Sequence, residues 1–354
     1  MRFLLLAGLS LFTAETWLTS LAVAQDVPPG APSGYLRQLR FSPDGRYVLA
    51  QDDSAVIVIS VKPLAVLFRI PAVKATAVRF TSDSQDVVFI SEGPNTRVER
   101  WHIADRSQVS VVSTGLPACG TAALSPDGRY LACDDYEWTF WLFDGASKKT
   151  ILKRYLGTKL NEGCSPGAMD LTAAGGYDRS CWSRRGIAGA ARIGFSADGH
   201  FLIAAPAVSN DVSIAWDLHE GKAFKWKRDL WLIPRWDLSF TFVGPESLVV
   251  SPLNSWHGRF TASVVAVPSG KRLGKLQIPR SLLLAATDPG YVIIRPCGQY
   301  AAGAVEISTG QITPSVSPDM DVFGQHYVTE LPNGDVGLYE RGKGLQASVS
   351  VKPL

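Results

Sequence analysis

The chain has 354 residues, of which 35 are Lys or Arg and 32 are Asp or Glu, and its formal net charge at pH 7 is +3. This balance is too mild to indicate a nucleic-acid-binding protein. No segment beyond the amino terminus is apolar enough to cross a bilayer, so no membrane span is expected.

The amino terminus has the pattern of a secretory signal peptide. Arg2 precedes a mostly apolar stretch at 3–12, and small residues occupy both cleavage-determining positions before residue 25. We therefore predict a signal peptide at residues 1–24, followed by a flexible, Pro- and Gly-rich lead-in at 25–33. Glu15 interrupts the apolar run, which disfavours a membrane span. The expected location is secreted or periplasmic.

A short turn phrase then recurs along the chain. Its clearest copies are Phe41–Gly45, Leu124–Gly128 and Phe195–Gly199, and an apolar run follows each. Proline presets φ at the second turn position, Asp tolerates the third, and Gly supplies the positive φ that closes the turn. The phrase therefore predicts a hairpin between two buried strands.

The same hairpin is expected at seven places. The residues that precede the turn are Phe41, Phe80, Leu124, Phe195, Phe242, Ala286 and Phe323. A second polar turn recurs downstream, at 216–222, 267–271 and 307–311. Two hairpins per unit make four antiparallel strands, A to D, and an average spacing of about 47 residues is typical of a propeller blade. We predict an all-β, seven-bladed β-propeller of four-stranded antiparallel blades over 34–354, with an insertion at about 148–189.

These features resemble bacterial WD-repeat-like β-propellers of the exported type. The resemblance rests on the Ser-Pro-Asp-Gly turn, the apolar strand after it, and Trp216-Asp217 at the end of a third strand. It covers about nine-tenths of the chain. No blade shows the upstream Gly-His dipeptide, and only one shows the full Trp-Asp pair. The resemblance therefore implies the fold and does not imply a functional subfamily.

Five cysteines in an exported chain indicate disulfides. Reflecting the third blade about its turn places Cys119 almost opposite Cys133, which predicts a bridge between strands A and B. Cys164 and Cys181 both fall in the insertion and would order it if they paired. Cys297 is the odd cysteine and is a competing partner for either, so the second pairing stays open.

The blade topology separates two faces. One face carries the A–B and C–D turns, and we call it the A–B face. The other, the B–C face, carries the B–C turns, the D–A connections and the longer, more varied loops. Aromatic, Arg and polar loop residues suit binding, and the candidates there are Asp134, Asp135, Tyr136, Trp138, Tyr177, Trp182, Arg184, Trp256 and His257. The alternative is that the three tryptophans only cap blade ends.

Enzymatic signatures are sparse. Asp134, Asp135 and Glu137 are candidate paired carboxylates for glycoside hydrolysis, but acids in one exposed loop usually form a solvated turn. The five histidines are assigned to different blades without metal-ligand spacing. Segment 215–222 is similar to the blade motif of pyrroloquinoline quinone dehydrogenases, but only one blade carries it, so no cofactor is expected.

The preferred function is therefore a non-enzymatic, monomeric scaffold that binds a protein or an extracellular polymer through the B–C face. The competing hypothesis is a propeller enzyme with a channel-mouth site, either glycan-active or lactone-hydrolysing. Convergence of several of Asp134, Asp135, Glu137, Arg184 and His257 in a deep pocket would favour the enzyme.

Overall fold

The structure, a computed structural model, describes only part of the chain. The described residues are 36–71, 75–91, 96–119, 121–135, 139–155, 192–205, 214–224, 238–252, 259–279, 281–296, 303–315, 317 and 319–352. All of them belong to one compact unit, Pro32–Leu354. The predicted signal peptide and lead-in lie outside the described residues. Among the described residues, no helix has the length and apolar character needed to cross a membrane.

The described residues form seven antiparallel sheets, each built from four consecutive strands, which confirms the predicted seven-bladed β-propeller. The strands of blades 1 to 4 are β1 (Gln38–Phe41), β2 (Tyr47–Gln51), β3 (Ala55–Val61), β4 (Leu64–Pro71), β5 (Ala75–Phe80), β6 (Asp86–Ser91), β7 (Arg97–His102), β8 (Ser107–Ser113), β9 (Thr121–Leu124), β10 (Tyr130–Asp134), β11 (Thr139–Asp144), β12 (Lys149–Tyr155), β13 (Arg192–Phe195), β14 (Phe201–Ala205), β15 (Ile214–Asp217) and β16 (Lys222–Ala223). The strands of blades 5 to 7 are β17 (Leu238–Phe242), β18 (Ser247–Pro252), β19 (Arg259–Ala266), β20 (Arg272–Pro279), β21 (Ser281–Ala285), β22 (Tyr291–Pro296), β23 (Gly303–Glu306), β24 (Ile312–Pro314), β25 (Met320–Phe323), β26 (His326–Glu330), β27 (Val336–Glu340) and β28 (Gly344–Val349). In each blade these are strands A to D, and strand A lies nearest the central channel, where A strands of neighbouring blades contact one another.

The repeated turn phrase lies where the sequence predicts it. Six of the seven predicted residues end an A strand, and Ala286 directly follows the seventh, β21. Gly45 has φ +71° and its amide donates to the carbonyl of Ser42 at 2.9 Å, so the turn uses the left-handed conformation that glycine allows. In blade 2, Ser84 adopts φ +60° at the same position. The turn geometry therefore persists where its glycine is replaced.

The core lies between the blades. Seven clusters of buried apolar side chains are present among the described residues, one at each junction between neighbouring blades. In strand β2, Val48 packs toward blade 7 and Leu49 toward blade 2, and both are fully buried. A strand that is buried on both faces must be apolar at consecutive positions, which explains the continuous apolar runs after each turn.

The ring closes between blades 1 and 7 by packing. Strand β28 is the fourth strand of the last blade, and β1 pairs with β2 in its own blade. Leu36 and Val351 are both fully buried in the cluster that joins the two blades. Within the described part of the chain, no strand is exchanged between the first and last blades.

The predicted insertion is shorter than expected at its start. Residues Lys149–Tyr155 form β12, the outer strand of blade 3, and pair with β11. Residues 156–191, which include Cys164 and Cys181, lie outside the described residues. The segment available for an insertion therefore begins after residue 155.

Candidate functional site

The side chains of the repeated turns at the A–B face form hydrogen bonds within their own turns. In blade 1, Ser42 Oγ donates to Asp44 Oδ1 at 2.7 Å, and the amide of Arg46 donates to the same oxygen at 3.0 Å. The amide of Tyr47 donates to Ser42 Oγ at 3.0 Å. The same bonds recur at the pairs Thr81/Asp83, Ser125/Asp127 and Ser196/Asp198. These polar groups therefore serve the turn itself, which makes the phrase a part of the scaffold.

Electrostatics supports this structural role. The hydrogen bond donated by Thr81 holds the pKa of Asp83 below its usual value, with help from the amide of Gln85. A carboxylate stabilised in its charged form by local donors is a poor general acid at neutral pH. The A–B turn of blade 2 therefore uses its carboxylate as a structural hydrogen-bond acceptor.

One strand B position at the B–C face carries a different residue in each blade. The strand registers place the following residues at equivalent points, as the fifth residue of strand B: Gln51, Ile90, Asp134, Ala205, Ser251, Arg295 and Glu330. Both charge signs occur at this position, whereas the A–B turns keep one chemistry. The B–C face is therefore where the blades of this propeller are individually distinct.

The carboxylates that directly follow strand B in blades 1 and 3 organise their own turns. Asp52 Oδ1 accepts the amide of Ala55 at 2.7 Å, and Asp135 Oδ1 accepts the amide of Thr139 at 2.8 Å. Ala55 and Thr139 are the first residues of β3 and β11, so each carboxylate fixes the start of a C strand. Asp135 Oδ2 also accepts the indole N–H of Trp141 at 3.2 Å. This candidate site residue therefore has a structural task in addition to any ligand contact.

Asp134 and the predicted disulfide lie together in blade 3. Asp134 is buried, and its Oδ1 accepts the amide of Thr121, the first residue of β9, at 2.7 Å. Cys119 and Cys133 are disulfide-bonded with their Cα atoms 5.6 Å apart, as predicted. The register differs from the prediction, because Ala122 is the strand partner of Cys133 and Cys119 precedes β9. The bridge therefore ties the D–A connection to strand B at the B–C face.

A second cluster joins blades 6, 7 and 1 at the same face. The guanidinium of Arg295 pairs with Asp319, which is fully buried, and its Nη2 also donates to the carbonyl of Arg37 at 3.4 Å. Glu330 is fully buried and its Oε1 accepts the amide of Leu36 at 3.4 Å. Buried carboxylates need such partners, since an uncompensated charge in the interior is costly.

Other predicted site residues lie outside the described residues, and their placement stays a prediction. They are Tyr136, Trp138, Tyr177, Trp182, Arg184, Trp256 and His257, together with Glu137 and Cys297. Of the predicted site, the structure therefore brings together Asp134, Asp135 and the Cys119–Cys133 bridge.

The histidines depart from the sequence prediction in one respect. His200 and His219 were expected on different blades, but both belong to blade 4, and their ring centroids lie 5.3 Å apart. They lie at the A–B face because the C–D turn and the A–B turn emerge side by side there. In the described part of the chain, no group of three or more His, Cys, Asp or Glu is placed to hold a metal ion.

Sequence reasoning did not select Arg295, Asp319 and Glu330. Arg295 and Glu330 occupy the same repeat position as Asp134, so an alignment of whole blades, rather than of turn phrases, would have selected them. Asp319 precedes the seventh turn, whose phrase is barely recognisable. The missed residues thus lie in the blades that diverge most from the repeat.

Comparison with known proteins agrees on the fold. The chain matches no protein-family model, and no curated protein matches it. Among solved structures, it is similar to the hydrazine synthase of Kuenenia stuttgartiensis, with 12% identity, a TM-score of 0.56, and coverage of 93% of this chain and 100% of that one. It is also similar to the Cps50 (Swd1) β-propeller domain of Myceliophteria thermophila, with 13% identity, a TM-score of 0.55, and coverage of 90% and 97%. At such identities the likeness concerns the fold alone.

Proposed function

We propose that this protein is an exported, non-enzymatic β-propeller that binds a protein or an extracellular polymer through its B–C face. The propeller acts as a rigid support that holds the varied loops of that face in fixed relative positions. Binding residues are commonly placed on loops that a rigid scaffold positions.

The contrast between the two faces carries this proposal. At the A–B face the Ser and Asp side chains bond within their own turns in four blades. At the B–C face the equivalent positions carry Asp134, Arg295 and Glu330, so the chemistry changes from blade to blade. Selection for a partner acts on the positions that differ, because uniform turns suffice for folding.

The geometry of the acidic candidates favours binding over catalysis. Asp134 and Asp135 each accept a strand-initiating amide, so the fold fixes the orientation of both carboxylates. A glycosidase acid must instead direct its carboxyl group at the glycosidic oxygen of the substrate. Export is supported by the Cys119–Cys133 bridge, since structural disulfides persist mainly in oxidising compartments.

Capture of partners from the native compartment tests the proposal. The test variant replaces residues 157–189 by a short Gly-Ser linker, which keeps β12 and β13 intact. A matched pair of point variants compares the faces, because Asp53 at the B–C face and Glu246 at the A–B face are both exposed acids. We expect the linker variant and Asp53→Lys to lose captured partners and Glu246→Lys to retain them. Unchanged capture by the linker variant and by Asp53→Lys would contradict the proposal.

A further inference from the structure

Two arginines occupy one register position of the innermost strands, Arg40 in blade 1 and Arg79 in blade 2. In blades 3 to 6 the registers place uncharged residues there: Ala123, Gly194, Thr241 and Leu284. In blade 7 they place Asp321 there. The two long guanidinium groups therefore lie at the A–B end of a ring of mostly uncharged side chains.

The hydrogen bonds place both guanidinium groups in the channel. Arg40 Nη2 lies 3.5 Å from the carbonyl oxygen of Ala285, in blade 6. Blade 7 separates blades 1 and 6, so this contact spans the channel opening. Arg79 Nη1 donates to the carbonyl of Leu124, in the A strand of blade 3, at 2.7 Å. Both side chains are partly exposed, so the channel gives access to them.

Two aspartates face the pair, but neither bonds to it. Burial and the neighbouring charge of Arg40 lower the pKa of Arg79 to about 9, so Arg79 stays protonated at neutral pH. Asp127 attracts Arg79 from the A–B turn of blade 3. Asp321 faces Arg40, but its carboxylate accepts the amides of Phe41 and Thr287, both at 2.8 Å. Among the described residues, the two guanidinium groups donate to carbonyl oxygens and not to a carboxylate.

The two guanidinium groups also have N–H donors that bond to no acceptor among the described residues. A guanidinium has five N–H donors. Among the described residues, Arg40 donates one bond, to Ala285, and Arg79 donates two, to Leu124 and to the carbonyl of Phe80. The fork geometry of the remaining donors matches the oxygens of a carboxylate or a phosphate.

We propose that Arg40 and Arg79 form a binding site for a small oxyanion in the central channel. The ligand is a carboxylate or a phosphate group, held between the two guanidinium groups. This site lies at the A–B end of the channel, away from the B–C face, so it does not depend on the proposed scaffold function. It gives the propeller a small-molecule ligand in addition to a macromolecular partner.

Thermal unfolding at low ionic strength tests the site, because a ligand that binds the folded state raises the midpoint. Sodium phosphate and sodium acetate are titrated separately against sodium chloride of equal ionic strength. We expect one or both to raise the Tm of the wild type, and the anion that does so identifies the ligand chemistry. Arg40→Gln and Arg79→Gln should weaken the apparent affinity at least tenfold, as expected for loss of a charged bidentate partner at about 1.4 kcal/mol or more.

Arg46→Gln is the matched control, since Arg46 is an exposed arginine on the A–B face outside the channel. It should keep the wild-type response. If a glutamine variant fails to fold, Arg40→Lys keeps the charge and removes the fork, and it should reduce the phosphate affinity. No response of the wild type to either anion overturns the proposal. An equal loss of response in Arg46→Gln also overturns it.

Discussion

Asp144 and Arg129 form a two-pronged ion pair at the A–B face of blade 3. Arg129 Nε and Nη2 donate to the two carboxylate oxygens at 2.9 and 3.1 Å, and Asp144 is buried. These hydrogen bonds lower the pKa of Asp144 from 3.8 to about 2. A carboxylate with a depressed pKa contributes stability above its unfolded pKa and loses it as the pH falls through the folded value.

The free energy of unfolding should therefore fall as the pH drops from about 4 to about 2. Because Arg129 is half exposed, solvent screening reduces the contribution of the pair to about 1 kcal/mol. Urea unfolding of the wild type and Arg129→Gln at pH 7, 4 and 2 measures it. We expect the two curves to converge at pH 2. A difference that stays constant across this range would show that the pair does not cause the acid sensitivity.

Gly45 combines a positive φ with a close approach to another blade. A Cβ atom at this position would overlap the ring of Phe323, across the junction of blades 1 and 7. Gly221 also has a positive φ, +64°, but a Cβ there meets nothing within 4 Å. A comparison of alanine variants at the two glycines therefore separates the effect of backbone strain from the effect of steric overlap.

Gly45→Ala should lower the free energy of unfolding by about 3 kcal/mol, and Gly221→Ala by about 1 kcal/mol. The smaller value is the cost of placing a Cβ at positive φ, and the excess comes from displacing the Phe323 ring. Chemical denaturation of both variants measures the difference. Equal losses would mean that the ring moves away without cost.

At the scale of elements, the Cys119–Cys133 bridge closes a loop that contains the whole A strand of blade 3. The sequence separation is 14 residues, and for a loop of this length the loss of chain entropy in the unfolded state is worth about 3 kcal/mol. Both cysteines are buried, so alanine is the replacement that avoids an unsatisfied polar group.

The double variant Cys119→Ala/Cys133→Ala should therefore unfold with about 3 kcal/mol less free energy than the oxidised wild type. Urea denaturation measures the loss, and non-reduced peptide mapping of the wild type establishes the bridge. If the wild type is oxidised at this pair and the variant is equally stable, the bridge does not stabilise blade 3.

The turn phrase allowed the A and B strands to be predicted from sequence. The bulges of the outer strands were not predicted. Strands β8, β12 and β20 each carry a bulge, opposite the register shifts at Arg100/Trp101, Leu142/Phe143 and Val264/Val265. Exposed apolar residues lie at these bulges: Val109, Ile151 and Leu273. A bulge kinks an edge strand and protects it from pairing with another chain. No local sequence signal marks it, because it depends on the twist of the finished blade.

At the scale of the whole molecule, Asp321 links three blades. It lies on β25 in blade 7, and it accepts the amides of Phe41 in blade 1 and Thr287 in blade 6. Thr287 Oγ1 lies 3.1 Å from the carbonyl oxygen of Phe41. Sequence reasoning could not find this network, because its members are 34 to 280 residues apart. Only the closed ring brings them together.

Asp321→Ala should lower the free energy of unfolding by about 3 kcal/mol, since it leaves the amides of Phe41 and Thr287 without their acceptor. Asp83→Ala is the control, because the side-chain bonds of Asp83 stay within its own turn. It should cost about 1 kcal/mol. A similar loss in both variants would mean that the three-blade network adds nothing to ring closure.

The central claim is that the repeated turns are scaffold and that the B–C face carries the function. Site-specific photocrosslinking tests it most directly, with p-benzoylphenylalanine installed in place of Asp53 at the B–C face or of Glu246 at the A–B face, both of which are exposed. The protein is irradiated in its native host, and the crosslinked partners are identified by mass spectrometry. We predict specific crosslinks from position 53 and none above background from position 246. Specific crosslinks from position 246 alone would contradict the account.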